Sequence, residues 1–552
     1  MDVHIQLFRK CRVGVLVVPL VMAGWLSAAI PSAERVALIA LYNDTSGDGW
    51  HTNTGWKEPP LDLDGFAMPG TEGNWFGITV SSDHVTAIDL RYNNLDGALP
   101  PEIGDFAYLE ALRIIGNNLP NPIPAQIGNL ANLINLALQE NGLTGAIPTE
   151  IGLCTSLMTL RLSQNQLSGN IPDEIGYCVN LSTLDLSTNQ LWGTLPAAMG
   201  GLINLRNFGV AQNTLEGNLP AWLGTLTNLQ ELDLSDNAFT GSLPVEWSNL
   251  VNLRMLIISD NQITGTIPVW IDSLGALETL SLRDNPLLGE IPGDIGALTN
   301  LQLLNLSNCQ LTGGIPAEIG NLSSLLGLYL RHNQLDGAIP AELGNLPLLQ
   351  QLDLGDNQLS GNLPTELGYL TDLNQLDLGV NLLDGNLPVW LGDLTQLAHL
   401  SLERNDFSGP IPPEIGYLTN LYFINLSENN LTGSLPVELS NLTNLQQLHV
   451  YSNQISGTIP TWLGTLTQLI RLNLSYNQLL GSIPTPLGNL KALERLNLRN
   501  NLLTGGIPAE IGNLSSLLGL ELRHNQLDGA IPAELGNLPL LQHLDLGDNQ
   551  LS

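Results

Sequence analysis

Positive charge is scarce in this chain. Lys occurs only at positions 10, 57 and 491, and 18 basic residues face 52 acidic ones, for a net charge of -34 over 552 residues. A nucleic-acid ligand requires a basic footprint that displaces counterions from phosphate, so nucleic acid is excluded as a partner. Anionic lipid is repelled on the same ground, which leaves no direct lipid binding. Such acidity favours solubility and suits a saline habitat. Cysteine is also scarce, at four residues. No Cys-x-x-Cys pair or Cys/His cluster occurs, so no metal site is expected. Gly-x-Ser-x-Gly, P-loop and His-Glu-x-x-His motifs are missing and the eight His are scattered. The expectation is a protein that is not an enzyme and needs no cofactor.

One long apolar run exists, at the start. Arg9, Lys10 and Arg12 precede the apolar segment from Val13 to Leu26, and Ser27-Ala28-Ala29 follow as small residues. This is the pattern of a secretory signal peptide over residues 1–29. The alternative is an uncleaved anchor, but the run is short for a span of ~20 residues and Pro19 interrupts it. The mature chain is expected to begin near Ile30 and to be secreted or displayed at the surface.

The remainder is one pattern repeated. Residues 325–346 read LLGLYLRHNQLDGAIPAELGNL, with apolar residues at Leu325, Leu328, Leu330, Leu335, Ile339, Leu343 and Leu346. The pattern returns every 24 residues, and its Asn slot runs from Asn93 to Asn549 through twenty repeats without insertion. The L-x-L part alternates and predicts a strand, so stacked repeats predict a long parallel sheet. The segment after Pro predicts a short 3₁₀ or α turn on the opposite, convex side. The fold expected is an α/β solenoid, in which each repeat buries its leucines only against its neighbours. Asn141, Asn333 and Asn405 belong to a ladder of side chains that satisfy turn backbone groups. Cys309 replaces Asn in one repeat, which predicts the softest rung. Cys154 and Cys178 occupy one slot in neighbouring repeats. Stacked coils about 4.8 Å apart permit a disulfide, whereas Leu in that slot at 130 and 202 points to two free core thiols.

Residues 30–84 precede the array, which occupies 85–552. Ser32 is a candidate N-cap for a short helix, with Glu34 in its first turn, and Val36, Ile39, Ala40 and Tyr42 could share a face. The loop TSGDGWHTNTGW carries Trp50 and Trp56, and Trp75 follows before a first repeat strand over Val85 to Leu90. A helix and three Trp form what a solenoid end requires as a cover; the alternative is an aromatic sugar-binding cluster. The order of helix, GDGWHTNTGW, NWFGITVSSDHVTAIDL and L-x-G-x-[IL]-P repeats resembles plant-type extracellular leucine-rich-repeat proteins. The resemblance implies a leucine-rich-repeat superhelix with a second short strand row. Plant members usually carry a Cys pair around the W-x-G-[IV] stretch. Here those places hold Gly73 and Val80, as in plant-like members from bacteria and some protists.

Two features bear on integrity. The last residues, Gln550-Leu551-Ser552, lack the polar closing repeat expected of an array, which reads as truncation. Residues 314–360 and 506–552 match except for Tyr329 against Glu521 and Gln351 against His543. This is a recent eight-repeat duplication or an assembly artefact, and both differences fall on the concave face.

Function is expected on that face, formed by the residues six, four, two and one before each Asn. From Thr183 to Asn308 these are mostly Ser, Thr, Asp, Asn and Gln; paired acids such as Asp233 and Asp236 there read as a solvated face. Further on stand Tyr329, Arg331, His332, His399, Arg404, Phe423, His449, Tyr451, Arg471, Tyr476, Arg495 and Arg499. Aromatic and Arg side chains dominate binding energy in interfaces, so this stripe is the candidate contact surface for a protein, peptide or glycan. Sequons at Asn305, Asn425 and Asn473 lie on the same strands, where a glycan would block the face. Two alternatives to a free binding module are the ectodomain of a receptor continuing beyond Ser552 and an inhibitor of a secreted hydrolase.

Overall fold

The computed structural model describes residues 29–552; the expected signal peptide lies outside them apart from its last residue. The chain opens with helix α1 (Ser32–Asp44). Its N-cap is Pro31, whose carbonyl accepts the Arg35 N–H at 3.1 Å, so Ser32 is the first helical residue and caps nothing. The buried face is also not the one expected. Ala37, Leu38, Leu41 and Tyr42 are buried together with Glu34 and Arg35, and Val36 is 56% exposed. Two charged residues lie inside because each has partners there. Glu34 accepts from His84 Nδ1 and from the Val85 N–H, both at 2.7 Å. Arg35 meets Asp64 at 2.9 Å and Glu72 at 2.5 Å.

Tyr42, Trp50, Trp56, Phe66 and Trp75 pack beside α1 with neighbouring ring centroids 4.7–5.9 Å apart. Trp56 and Trp75 are essentially inaccessible and Trp50 nearly so. These rings are the core of the cover and offer no face to a sugar.

Strand β1 (Ile78–Ser81) pairs antiparallel with β2 (His84–Asp89). Ser82 and Asp83 turn the chain between them with φ of 49° and 63°, the left-handed pair that matches strand twist in tight hairpins. From β2 the sheet is parallel. Strand β3 (Ala111–Arg113) pairs with β2, and each later inner strand pairs with the one 24 residues on, giving 21 strands. Every complete repeat but one, in which Asn121 takes the Gly slot, then turns through the L-x-G segment, where Gly337 has φ 73°, and a second, shorter strand row forms in runs of six, three, two, two and five strands. A five-residue turn follows each Pro, and it is 3₁₀ throughout. In Ala317–Asn321 the Ile319 N–H bonds to Pro316 O at 3.1 Å. Gly320 sits there because a Cβ would lie 2.3 Å from Glu342 O of the next repeat. The leucines between the two rows form one continuous core with accessibilities near zero.

The Asn ladder has a uniform rung. Asn333 donates to Leu306 O and Leu330 O, both at 2.9 Å, and accepts the Leu311 N–H at 3.1 Å. Asn405 repeats this with Leu378 O at 3.0 Å and the Leu383 N–H at 3.0 Å. Asn141 keeps its donors, but its oxygen takes the Asn117 N–H, while Leu119 N–H goes to the Asn141 main chain. Cys309 reaches Leu282 O at 3.5 Å and Ser307 O at 3.6 Å and accepts nothing; the Leu287 N–H turns back to Asn285 O at 2.8 Å. Burial pushes the Cys309 thiol up to about 11, so it stays protonated. Cys309→Asn is expected to stabilise the mid-array by about 1 kcal/mol, the net worth of one regained hydrogen bond. Denaturant melts with amide exchange at 282–311 measure this, and unchanged or faster exchange would remove the ladder account. Cys154 and Cys178 are free and fully buried, each thiol donating to a carbonyl one repeat back, at 3.2 and 3.3 Å. Burial, which moves the two thiols up to about 12 and about 11, keeps them inert.

Candidate ligand-binding face

Each inner strand aims the residues six, four and two before the Asn slot at the concave side. The residue one before the Asn has already left the strand. It is left-handed in repeat after repeat: His332 has φ 55°, Arg404 51° and Tyr476 52°. Non-Gly residues adopt this conformation at a cost, and here the ladder and the next strand hold it. These side chains therefore stand at the rim of the face, a distinction invisible in a period-2 pattern.

The stripe expected from sequence divides into separate groups. Arg331 pairs with Asp377 at 2.8 Å and lies 3.9 Å from Asp353, while His332 Nδ1 meets Asp356. Tyr329 hydrogen-bonds Gln351, and burial followed by the Asp353 charge raises its pKa. Asp353 itself is raised by burial and by Asp377. Three repeats on from Arg331, His399 stacks flat on Phe423 with centroids 4.3 Å apart and 2° between planes, and His449 lies 6.0 Å from Phe423. Burial is the main reason both histidines fall below the ordinary imidazole value; the Arg471 charge adds to it at His449. Tyr451 donates to Glu428 at 3.1 Å, and Arg404 grips the same carboxylate at 3.0 Å. Arg499 lies over the Tyr476 ring at 4.8 Å and 3.9 Å from Glu521, and its Nε is buried without a partner. Arg471 and Arg495 share one slot on adjacent strands and form no ion pair among the described residues. With His449, Asn473, Asn497 and Glu521 they line a pocket of about 130 Å³.

The polar half holds a feature that sequence reasoning passed over. A concavity of about 560 Å³ opens above Gly209, walled by Arg161, Thr183, Asp185, Asn207, Glu231 and Asp233. Its signal was a Gly in a concave-facing slot at the end of the strand Asn207–Gly209, where a missing side chain leaves room. Ser259, in the solvent-facing slot of the same half, is only 5% exposed because its hydroxyl bonds Ser281 at 2.6 Å.

Among the described residues no helix is long and apolar enough to cross a membrane. The family described as Leucine rich repeat matches residues 203–263, 252–311 and 444–503. A single-repeat description, Leucine Rich Repeat, matches 156–178, 180–202, 324–346, 348–370, 396–418 and 420–442. No curated protein sequence matches the chain. Among solved structures it is similar to the plant peptide hormone receptor RGFR1 in complex with RGF2, with TM-score 0.82, 37% identity, and coverage of 84% of this chain and 74% of that one. It is similar to the Arabidopsis receptor kinase HAESA in complex with the peptide hormone IDA and the co-receptor SERK1, with TM-score 0.79, 31% identity, and coverage of 94% and 90%. A Leptospira interrogans LRR protein, LIC12759, aligns with TM-score 0.56 and 33% identity over 76% of this chain and 97% of that one.

Proposed function

The chain belongs to the leucine-rich-repeat family in its plant-type form, and we propose that it is a non-catalytic binding scaffold. It is secreted or displayed at the cell surface and grips a protein or peptide along the concave face between Tyr329 and Arg499. The observation that carries this is the concentration of aromatic and Arg side chains there, in an acidic chain with few cations. The two plant relatives are receptors in complex with peptide hormones, which supports a peptide over a glycan and also supports the receptor-ectodomain alternative. The concavity above Gly209, rich in hydroxyls, amides and carboxylates, favours a second reading in which a glycan docks in the polar half. Gly73 and Val80 in place of cap cysteines, with the likeness to the Leptospira protein, favour a plant-like member from outside plants.

Loss of an aromatic or Arg anchor commonly costs ~2 kcal/mol of binding, whereas surface changes move folding by about 0.5 kcal/mol. Tyr451→Ala with Arg499→Ala is therefore expected to weaken capture of partners from the native medium by about 2 kcal/mol, with circular dichroism unchanged. Ser187→Ala with Ser235→Ala should capture as wild type does. Equal capture by all three proteins would dismiss the C-terminal half, and loss confined to the serine variant would move the site to the polar half.

A further inference from the structure

We propose that the pocket between Arg471 and Arg495 is an oxyanion subsite that takes a tetrahedral sulfate or phosphate group, either as the free ion or as an ester on the ligand. The inference rests on the concave face being the contact surface and names the chemistry of one part of it.

On this face Arg331 and Arg404 are neutralised from the chain's own surplus of acid, by Asp377 and Glu428, whereas Arg161 forms no ion pair among the described residues. Arg471 and Arg495 have no carboxylate partner among the described residues. They are directly paired in register on adjacent strands, about 4.8 Å apart, where like charges repel. The carboxylate lining their pocket, Glu521, is engaged elsewhere: Asn497 Nδ2 donates to it at 2.8 Å and Arg499 lies 3.9 Å away. Counting Arg471, Arg495 and Arg499 against Glu521 leaves two positive charges. Asn473 spends its oxygen on the Ser475 N–H and hydroxyl, at 3.1 and 2.7 Å, which leaves its NH₂ toward the pocket as a further donor. Gly519, next in the Arg slot, contributes no side chain, so the space beyond Arg495 stays open. The volume of about 130 Å³ holds roughly four water-sized units at about 30 Å³ each. A carboxylate offers two oxygens and one charge. A tetrahedral oxyanion offers more oxygens and up to two charges, which suits two guanidinium forks and an amide.

The test is calorimetric titration of the full chain at pH 7.5 with inorganic sulfate, inorganic phosphate, phenyl phosphate and acetate, at ionic strength matched by chloride. Sulfate and phosphate are expected to bind saturably and at least about tenfold more tightly than acetate. Phenyl phosphate tighter than phosphate assigns the group to an ester on the ligand; the reverse assigns the free ion. Arg471→Gln and Arg495→Gln should each weaken binding at least about tenfold. Arg254→Gln, in an exposed pair far along the array, should not. His449 gives an independent readout in ¹³C-histidine spectra: burial is the main cause of its lowered pKa, and an anion beside Arg471 offsets the smaller contribution of that charge. That pKa should rise when phosphate binds. Absence of saturation in wild type, acetate as tight as phosphate, or full binding in both Gln variants would overturn the subsite. Those failures leave the broader face intact if Tyr451→Ala with Arg499→Ala still loses its partner.

Discussion

Arg35→Met is expected to loosen the N-terminal cover by about 3–5 kcal/mol, the cost of leaving a buried charge without its partner. Glu72 is fully buried, and its Oε1 faces Arg35 Nη1 at 2.5 Å. Its other oxygen has the Gly70 N–H at 2.8 Å. Arg35 also bonds Asp64 at 2.9 and 3.1 Å and Ala67 O at 2.7 Å, and its guanidinium lies 5.3 Å from the Trp75 ring. One side chain thus ties α1 to the loop that carries the aromatic cluster. Met fills similar space but supplies no donor. Asp64 is part-exposed and can turn to water, so the cost centres on Glu72. A second variant separates charge from packing. Arg35→Met with Glu72→Gln removes both members of the pair, and such removal is often near neutral, so most of the loss should return. Because a solenoid is stabilised by nearest neighbours, amide exchange should accelerate over 32–44 and 78–89 and stay unchanged near 352–354. A loss below about 1 kcal/mol, or no recovery in the double variant, would show that the pair does not hold the cover.

What the sequence made legible follows from periodicity. Leu328, Leu330 and Leu335 recur at fixed spacing, and such spacing predicts strand, register and core without reference to partners. Arg35 and Glu34 were illegible for the opposite reason. Hydropathy assigns them to solvent, and only Glu72 and His84, tens of residues away, draw them inward. The helix face was therefore misplaced by one residue, onto Val36. Ser32 was displaced as a cap because Pro31 already has the extended backbone an N-cap needs. On the concave face the alternation located Tyr329, His399, Phe423 and Tyr451 but could not group them. The His399–Phe423 stack and the shared Glu428 depend on neighbours 24 residues away meeting across the sheet. Nor could it separate strand residues from the left-handed rim residues His332 and Tyr476. Small polar residues were the hardest: Ser259 reads as exposed, and a hydrogen bond to Ser281 folds it under its neighbours.

Gly73→Cys with Val80→Cys is expected to form a disulfide and to make the oxidised cover about 2.5 kcal/mol more stable than the reduced form of the same variant, for a closed loop of about eight residues. The resemblance to plant-type caps placed a missing Cys pair at these two positions, and the geometry there remains suited to one. A Cβ built on Gly73 would stand 3.6 Å from Val80 Cβ, within the ~3.5–4.5 Å that a disulfide spans. Gly73 lies in the short 3₁₀ turn Glu72–Asn74 and Val80 in β1. The backbone of Gly73 is outside the left-handed region, so a side chain adds no conformational strain. A bond here would join the turn that presents Glu72 to the first strand, doing by covalent means part of what the Arg35 pair does by charge. The two ties share the turn, so their effects should not add: in the oxidised variant Arg35→Met should cost less than in wild type. Thermal melts of the oxidised and reduced protein, with free thiols counted, measure the first effect. Failure of the thiols to pair would refute the geometry, and an undiminished Arg35→Met penalty in the oxidised protein would refute the shared role.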